Sequence, residues 1–177
     1  PRPAPHHVRD PSVFSPGKYV GVAGSNSSTD CINCEAGKYL DTPGGSNALE
    51  CINCGTGMYG TVHGSNSSLG CIDCEAGKYA ETVGSNNASA CIQCEAGKYV
   101  DHSGSSIESD CKTCGLGKYS SMVGSGNASN CINCFAGKFS DVSGSNSSTD
   151  CIDCMAGKYV DVTGSDNATD CIDCVAG

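Results

Sequence analysis

A pair of cysteines recurs every 20 residues without slippage, at Cys31/Cys34, Cys51/Cys54, Cys71/Cys74, Cys91/Cys94, Cys111/Cys114, Cys131/Cys134, Cys151/Cys154 and Cys171/Cys174. A period of this length marks a tandem array, in which each copy buries its apolar face against neighbouring copies. Everything else in the copy keeps the same register. A glycine follows each pair by three residues, from Gly37 to Gly177, and a second recurs from Gly44 to Gly164. An aromatic ring stands at Tyr39, Tyr59, Tyr79, Tyr99, Tyr119, Phe139 and Tyr159. Isoleucine follows the first cysteine in every copy except at Lys112.

The array divides the chain. Residues 1–10, "PRPAPHHVRD", break the pattern, and three prolines in five residues favour an extended arm. His6 and His7 lie in this arm, where adjacent histidines do not make a metal site. Residues 11–30 keep Gly17, Lys18, Tyr19 and Gly24 in register but carry Pro11 and Phe14 in place of the cysteines. This copy reads as a cysteine-free N-terminal cap, since the terminal copies of solenoids are atypical. Seven tandem copies fill residues 31–170, and residues 171–177 begin a further, incomplete one. The start at Pro1 reads as a processed product or fragment, and the stop inside "CIDCVAG" as an array continued beyond it or completed by another molecule.

Within a copy, "GKYVDV" has short β character and "GSDN" or "GSNS" is a turn. Alternation sets the tyrosine and Asp161 on one face, Val160 and Val162 on the other. The expected core of a copy is an isoleucine, an alanine and one tyrosine ring. With no tryptophan and 6% aromatic residues, that cannot stand alone. The predicted fold is a small disulfide-rich repeat protein: an elongated, solenoid-like rod of short irregular β-hairpins with almost no helix.

The cysteine spacing admits three chemistries. C-x2-C-x16-C-x2-C fits a four-cysteine zinc site, but zinc would group the pairs two by two and impose a period of 40, whereas the period is 20. A thioredoxin-like centre needs a helix N-terminus in a βαβ setting, and nothing here is helical. Structural disulfides suit an oxidising compartment, hence an extracellular location, secreted or cell-surface. Two wirings keep the repeat symmetry. One closes each C-x-x-C on itself, a loop of about four residues that restrains the unfolded chain little. The other joins the second cysteine of one copy to the first of the next: Cys34–Cys51, Cys54–Cys71, Cys74–Cys91, Cys94–Cys111, Cys114–Cys131, Cys134–Cys151 and Cys154–Cys171. Each such loop is worth roughly 3 kcal/mol in the chain-entropy model, and the reading favours this wiring. It leaves Cys31 and Cys174 unpaired or intermolecular, with Phe14 where a partner of Cys31 would stand.

The second wiring also fits a resemblance. "CEAGKYLDTPGGSNALEC", residues 34–51, resembles the first half-module of tumour-necrosis-factor-receptor cysteine-rich domains. The continuous form, C-x-x-C-x-x-G-x-Y-x(4)-G-x(6)-C-x-x-C, is similar to the ephrin-receptor-like cysteine-rich repeat. That resemblance covers residues 11–177 and implies an extracellular disulfide-linked module, found in receptor ectodomains and in long surface proteins. The chain departs from the receptor pattern in lacking the second half-module and in its unbroken period. Both departures favour a structural array.

N-x-[ST] stands at Asn26, Asn66, Asn87, Asn127, Asn146 and Asn167, each just after the turn glycine. These are candidate N-glycosylation sites, and covalent glycans are the expected modification. The repeated lysines, Lys18, Lys38, Lys78, Lys98, Lys118, Lys138 and Lys158, with acids three residues on at Asp41, Glu81, Asp101, Asp141 and Asp161, read as a charge-balanced solvated face. A net charge of −9 argues against nucleic acid, and no apolar run approaches the roughly 20 residues of a membrane span. No nucleophile–base pair stands out of the repeat, so no catalytic residue, cofactor or resident metal is expected. The expected function is a glycosylated structural repeat that self-associates into a filament, stalk or coat; the alternative is a receptor or adhesion ectodomain that binds a protein or glycan.

Overall fold

The computed structural model describes residues 15–25 and 27–175. The arm, Pro11, Phe14 and Asn26 lie outside the described residues. The chain forms two compact units, one of Pro1–Ile72 with Thr82–Ala90 and one of Asp73–Glu81 with Cys91–Gly177. Each is built from the same copy.

The regular element of a copy is a minimal antiparallel hairpin. In the first unit Lys18–Tyr19 pairs with Ile32–Asn33 and Lys38–Tyr39 with Ile52–Asn53. In the second, Lys78–Tyr79 pairs with Ile92–Gln93, Lys98–Tyr99 with Lys112–Thr113, Lys118–Tyr119 with Ile132–Asn133, Lys138–Phe139 with Ile152–Asp153, and Lys158–Tyr159 with Ile172–Asp173. The hairpin thus joins the lysine–tyrosine strand of one copy to the residues just after the first cysteine of the next. A single 3-10 turn, such as Ala128–Asn130 or Ser148–Asp150, precedes that cysteine. No α-helix occurs among the described residues.

The sulfurs form the core. Seven disulfides join the second cysteine of one copy to the first of the next, from Cys34–Cys51 to Cys154–Cys171, each across a separation of 17 residues. Their Cα atoms lie 5.5–5.8 Å apart, inside the normal range for the bond. In the first unit Cys34, Cys51 and Leu40 bury together under Tyr19; in the second, Cys94, Cys111 and Val100 bury together under Tyr79.

The isoleucines do not join this core. Ile52 and Ile92 are 45% and 50% exposed, and the other described ones are similar. The reason is the brevity of the hairpin. A ribbon of two residues per strand has no second layer over its outer face. The buried position is instead the one after the tyrosine, occupied by Leu40, Ala80, Val100 and Val160. Val160 is buried whereas Val162 is 58% exposed, because the strand ends at Tyr159 and alternation ends with it.

Successive copies are laced by backbone bonds. Tyr39 bridges Ser65 and Tyr59 bridges Ser85 in the first unit; Tyr99 bridges Ser125 and Tyr119 bridges Ser145 in the second, all parallel. The contact between Gly77 and Gly124 is tighter still. Gly77 has φ +88°, and a β-carbon there would fall inside the carbonyl of Gly124. Only glycine satisfies both conditions.

Candidate functional site: the sequon turns

Most turns begin at a glycine of positive φ, pass through a serine bridged to an earlier aromatic residue, as Ser125 is to Tyr99, and then enter the 3-10 turn. The sequon asparagine falls in that passage, in one of two slots. Asn66 and Asn146 precede the N-cap residues Ser67 and Ser147, of which Ser147 accepts from the Thr149 N–H through its side chain. Asn127 and Asn167 are themselves the cap residues: the Asn127 Oδ1 accepts from the Ser129 N–H at 2.9 Å, and the Asn167 Oδ1 from the Thr169 N–H and Oγ1 at 2.9 Å each. Asn87 Oδ1 accepts from the Ser89 N–H at 2.9 Å and from its hydroxyl.

All five described sequon asparagines are exposed. The cap uses only the carboxamide oxygen. N-linked glycosylation uses Nδ2, so a sugar there would be compatible with the cap in one side chain. The acid that closes the turn adds a second clamp: Asp150 Oδ2 accepts from the N–H groups of Asn146 and Ser147 at 2.9 and 3.0 Å, and Asp170 does the same for Asp166 and Asn167.

The copy at residues 91–110 carries no sequon and has its own polar cluster. Lys98 Nζ lies 3.0 Å from Glu108 Oε1 and 3.6 Å from Glu95 Oε2. The Glu108 hydrogen bond raises the Lys98 ammonium above its ordinary range. Desolvation, followed by Glu108, Glu81 and Glu95, pushes the Tyr79 phenol up. Lys112, in the slot that holds isoleucine elsewhere, donates to Asp101 Oδ1 at 3.0 Å and sits 5.9 Å from the centre of the Tyr99 ring. Its hydrogen bond, with a lesser one from His102, holds the Asp101 carboxyl below its usual range. His102 Nε2 meets Ser105 Oγ at 3.1 Å. Ser105 is 2% exposed, and the chain Asp101–His102–Ser105 fastens the turn.

Cys31 and Cys174 carry free thiols, the first half-buried and the second exposed. The sulfurs a zinc site would need are in disulfides, and no group of three or more histidines, cysteines or acids among the described residues could hold a metal. No helix among them is long and apolar enough to cross a membrane. The recurring acids three residues after the lysines do not set the ion pairs: Lys78 pairs with Glu75 and Lys138 with Asp153. The 3-10 turn had a readable signal, the Ser or Asn followed three residues later by an acid, as in Ser147 and Asp150.

Residues 60–111 match the family described as tyrosine-protein kinase ephrin type A/B receptor-like. The regular disulfides extend the same cysteine-rich repeat pattern on both sides of the matched segment. Match and disulfides together mark a cysteine-rich extracellular module of the receptor-like or structural kind. No curated protein matches the chain.

Proposed function

We propose that the chain is an extracellular structural glycoprotein, a disulfide-stapled repeat that builds a filament, stalk or surface coat by self-association, secreted or held at a cell surface. The observation that carries this is sameness. The hairpin register at Lys18–Asn33 returns unchanged at Lys158–Asp173. A ligand-binding protein differentiates its copies; a spacer multiplies them. N-glycans at Asn66, Asn87, Asn127, Asn146 and Asn167, and at Asn26, would solvate the array and shield its short exposed strands from proteases and from unwanted strand pairing. This reading assigns the chain no catalytic activity, cofactor, nucleic-acid partner or membrane span.

The test is electron microscopy with sedimentation velocity on the secreted, oxidised, glycosylated chain. Filaments, bundles or concentration-dependent oligomers are the expected result; dispersed monomers at every concentration would remove the assembly reading.

One observation favours a second reading, a receptor or adhesion ectodomain that binds a protein or glycan. The family match, residues 60–111, covers the sequon-free copy at 91–110, where Glu95, Lys98, Asp101 and Glu108 meet Glu81 of the preceding copy and Lys112 of the next. A partner captured by the wild type and lost on Lys98→Ala with Glu108→Ala would support it.

A further inference from the structure

The asparagines keep a longer period than the cysteines. Counting the cap at residues 11–30 as the first copy, Asn26, Asn66 and Asn146 fall in odd copies, two residues after the turn glycine. Asn87, Asn127 and Asn167 fall in even copies, three residues after it. The even copy at 31–50 also has its asparagine in the third place, Asn47, but Leu49 stands where the sequon hydroxyl would be. In every even copy that asparagine is followed by alanine, at Ala48, Ala88, Ala128 and Ala168. The turns thus repeat every 40 residues, and the stacking does the same. In the second unit Gly77 lies against Gly124 and Gly117 against Gly164, even on even, and Gly97 lies against Gly144, odd on odd.

The two slots leave the sequon in different chemical states. In the even slot the asparagine and the hydroxyl residue bond to each other. Asn167 Oδ1 accepts from the N–H and Oγ1 of Thr169, Asn87 Oδ1 from both groups of Ser89, and Asn127 Oδ1 from the Ser129 N–H. Asn47 caps in the same way, accepting from the Leu49 N–H at 2.8 Å, where there is no sequon, so the bond belongs to the fold. In the odd slot the carboxamides of Asn66 and Asn146 and the hydroxyls of Ser68 and Ser148 enter no hydrogen bond among the described residues. The cap position falls to the intervening serine, and Ser147 accepts from the Thr149 N–H at 3.2 Å. A three-residue 3-10 turn does not hold itself in an open chain. Here it ends on the N–H of a disulfide cysteine: Cys131 donates to the Ala128 carbonyl at 3.1 Å and Cys171 to that of Ala168 at 3.2 Å. Closing the sulfur bond therefore fixes the cap.

We infer that disulfide closure shuts the even sequons, Asn87, Asn127 and Asn167, to N-glycosylation and leaves the odd ones, Asn66 and Asn146, open, an inference that rests on the glycoprotein reading above. The transfer takes an oligosaccharide from a lipid diphosphate. The bond from Nδ2 to the anomeric carbon forms, the bond from that carbon to the diphosphate oxygen breaks, the lipid diphosphate leaves and Nδ2 gives up one proton. The transferring enzyme reads the carboxamide and the hydroxyl residue together, since the sequon is defined by both. In an even copy that pair is spent on the cap, and the enzyme meets it only while the cap is open. In an odd copy both groups stay free after folding. Even sequons are therefore modified before their loop closes, and odd ones before or after. The order of sulfur oxidation and sugar transfer sets how densely the even copies are glycosylated.

The test uses the full chain made without glycosylation, in two forms. One is oxidised, its disulfides verified by non-reducing peptide mapping; the other is reduced, its thiols blocked with iodoacetamide. Each is given an oligosaccharyltransferase and a lipid-diphosphate-linked oligosaccharide, and glycopeptide mass spectrometry follows every asparagine in time. The reduced chain is expected to react at every sequon. The oxidised chain is expected to keep that rate at Asn66 and Asn146 and to slow at Asn87, Asn127 and Asn167 by roughly two- to thirtyfold, the factor by which an asparagine cap lowers the open population. A variant with Asp166→Asn, Asn167→Ser and Ala168→Ser moves the sequon of an even copy into the odd slot. Oxidised, its position 166 is expected to react as Asn146 does. Equal slowing in both slots, no slowing in either, or a slow position 166 would overturn the inference and leave the glycoprotein reading standing. A reduced chain that takes no sugar at any sequon would sink both.

Discussion

The backbone N–H of Gly124 donates to the carbonyl oxygen of Cys94 at 2.7 Å, across thirty residues of sequence. The same cysteine donates its own N–H to the Gly77 carbonyl at 2.9 Å and bonds through sulfur to Cys111. One residue therefore ties three copies together. Replacing Cys94 and Cys111 together by serine is expected to cost about 2–5 kcal/mol. Hydrogen exchange should show the loss of protection reaching the Gly77 and Gly124 turns, not only the opened loop. Protection lost from residues 94–111 alone would contradict the lacing.

Gly97 and Gly115 separate two roles of glycine in one region. Gly97 has φ +82° and a β-carbon there would overlap the Gly144 carbonyl, whereas Gly115 faces open space. Gly97→Ala should cost about 1–3 kcal/mol or more, since strain and overlap add. Gly115→Ala should fall within about 0.5 kcal/mol of wild type. Thermal melts of the two variants decide the matter.

Asparagine does two jobs in one slot and one job in the other. Asn127→Gln removes a cap as well as a sequon, and in unglycosylated protein it should cost about 0.5–2 kcal/mol. Asn66→Gln removes only a sequon, because Ser67 is the cap residue there, and should leave stability unchanged. Glycopeptide mass spectrometry of the secreted protein should find sugar at both positions.

Lys112 allows a pH test. Its hydrogen bond is the main reason the Asp101 carboxyl titrates below its usual range, and Asp101 in turn raises Lys112. A lowered carboxylate contributes stability above its unfolded pKa and loses it as pH falls through the folded value. A raised lysine contributes below its unfolded pKa and loses it as pH rises through the folded one. The pair thus acts between the carboxylate and lysine ranges. Lys112→Ile, which restores the residue of the other copies, should move the Asp101 midpoint upward in an NMR titration with little change in overall stability, both groups being solvent-exposed.

The sequence was most legible where residues have few alternatives. Cysteine pairs at a fixed period favour sulfur joints between adjacent copies over closure within C-x-x-C, because the longer loop restrains more chain. Gly124 and its equivalents announce turns because little else accepts positive φ. The apolar residues misled. Ile92 has every sequence attribute of a core residue, yet it lies on a ribbon too short to be covered, and Val100 takes its place. The bridge between Tyr99 and Ser125 spans 26 residues and depends on how copies stack, which no local pattern encodes. The ion pairs were equally hidden, since Lys138 finds its acid across the hairpin and Lys78 three residues back, before its strand begins.

The disulfide joints also decide how the chain answers a pull. Cys94 and Cys111 stand 5.8 Å apart at their Cα atoms but enclose 17 residue steps, about 60 Å of fully extended backbone. While the sulfur bond holds, tension crosses from Cys94 to Cys111 through it, and only the short run between Cys91 and Cys94 is free to draw out. Reduction releases the stored slack of each loop. Oxidised, the chain behaves as a nearly inextensible tether; reduced, as a cord several times longer, so the redox state of its surroundings sets its mechanical give.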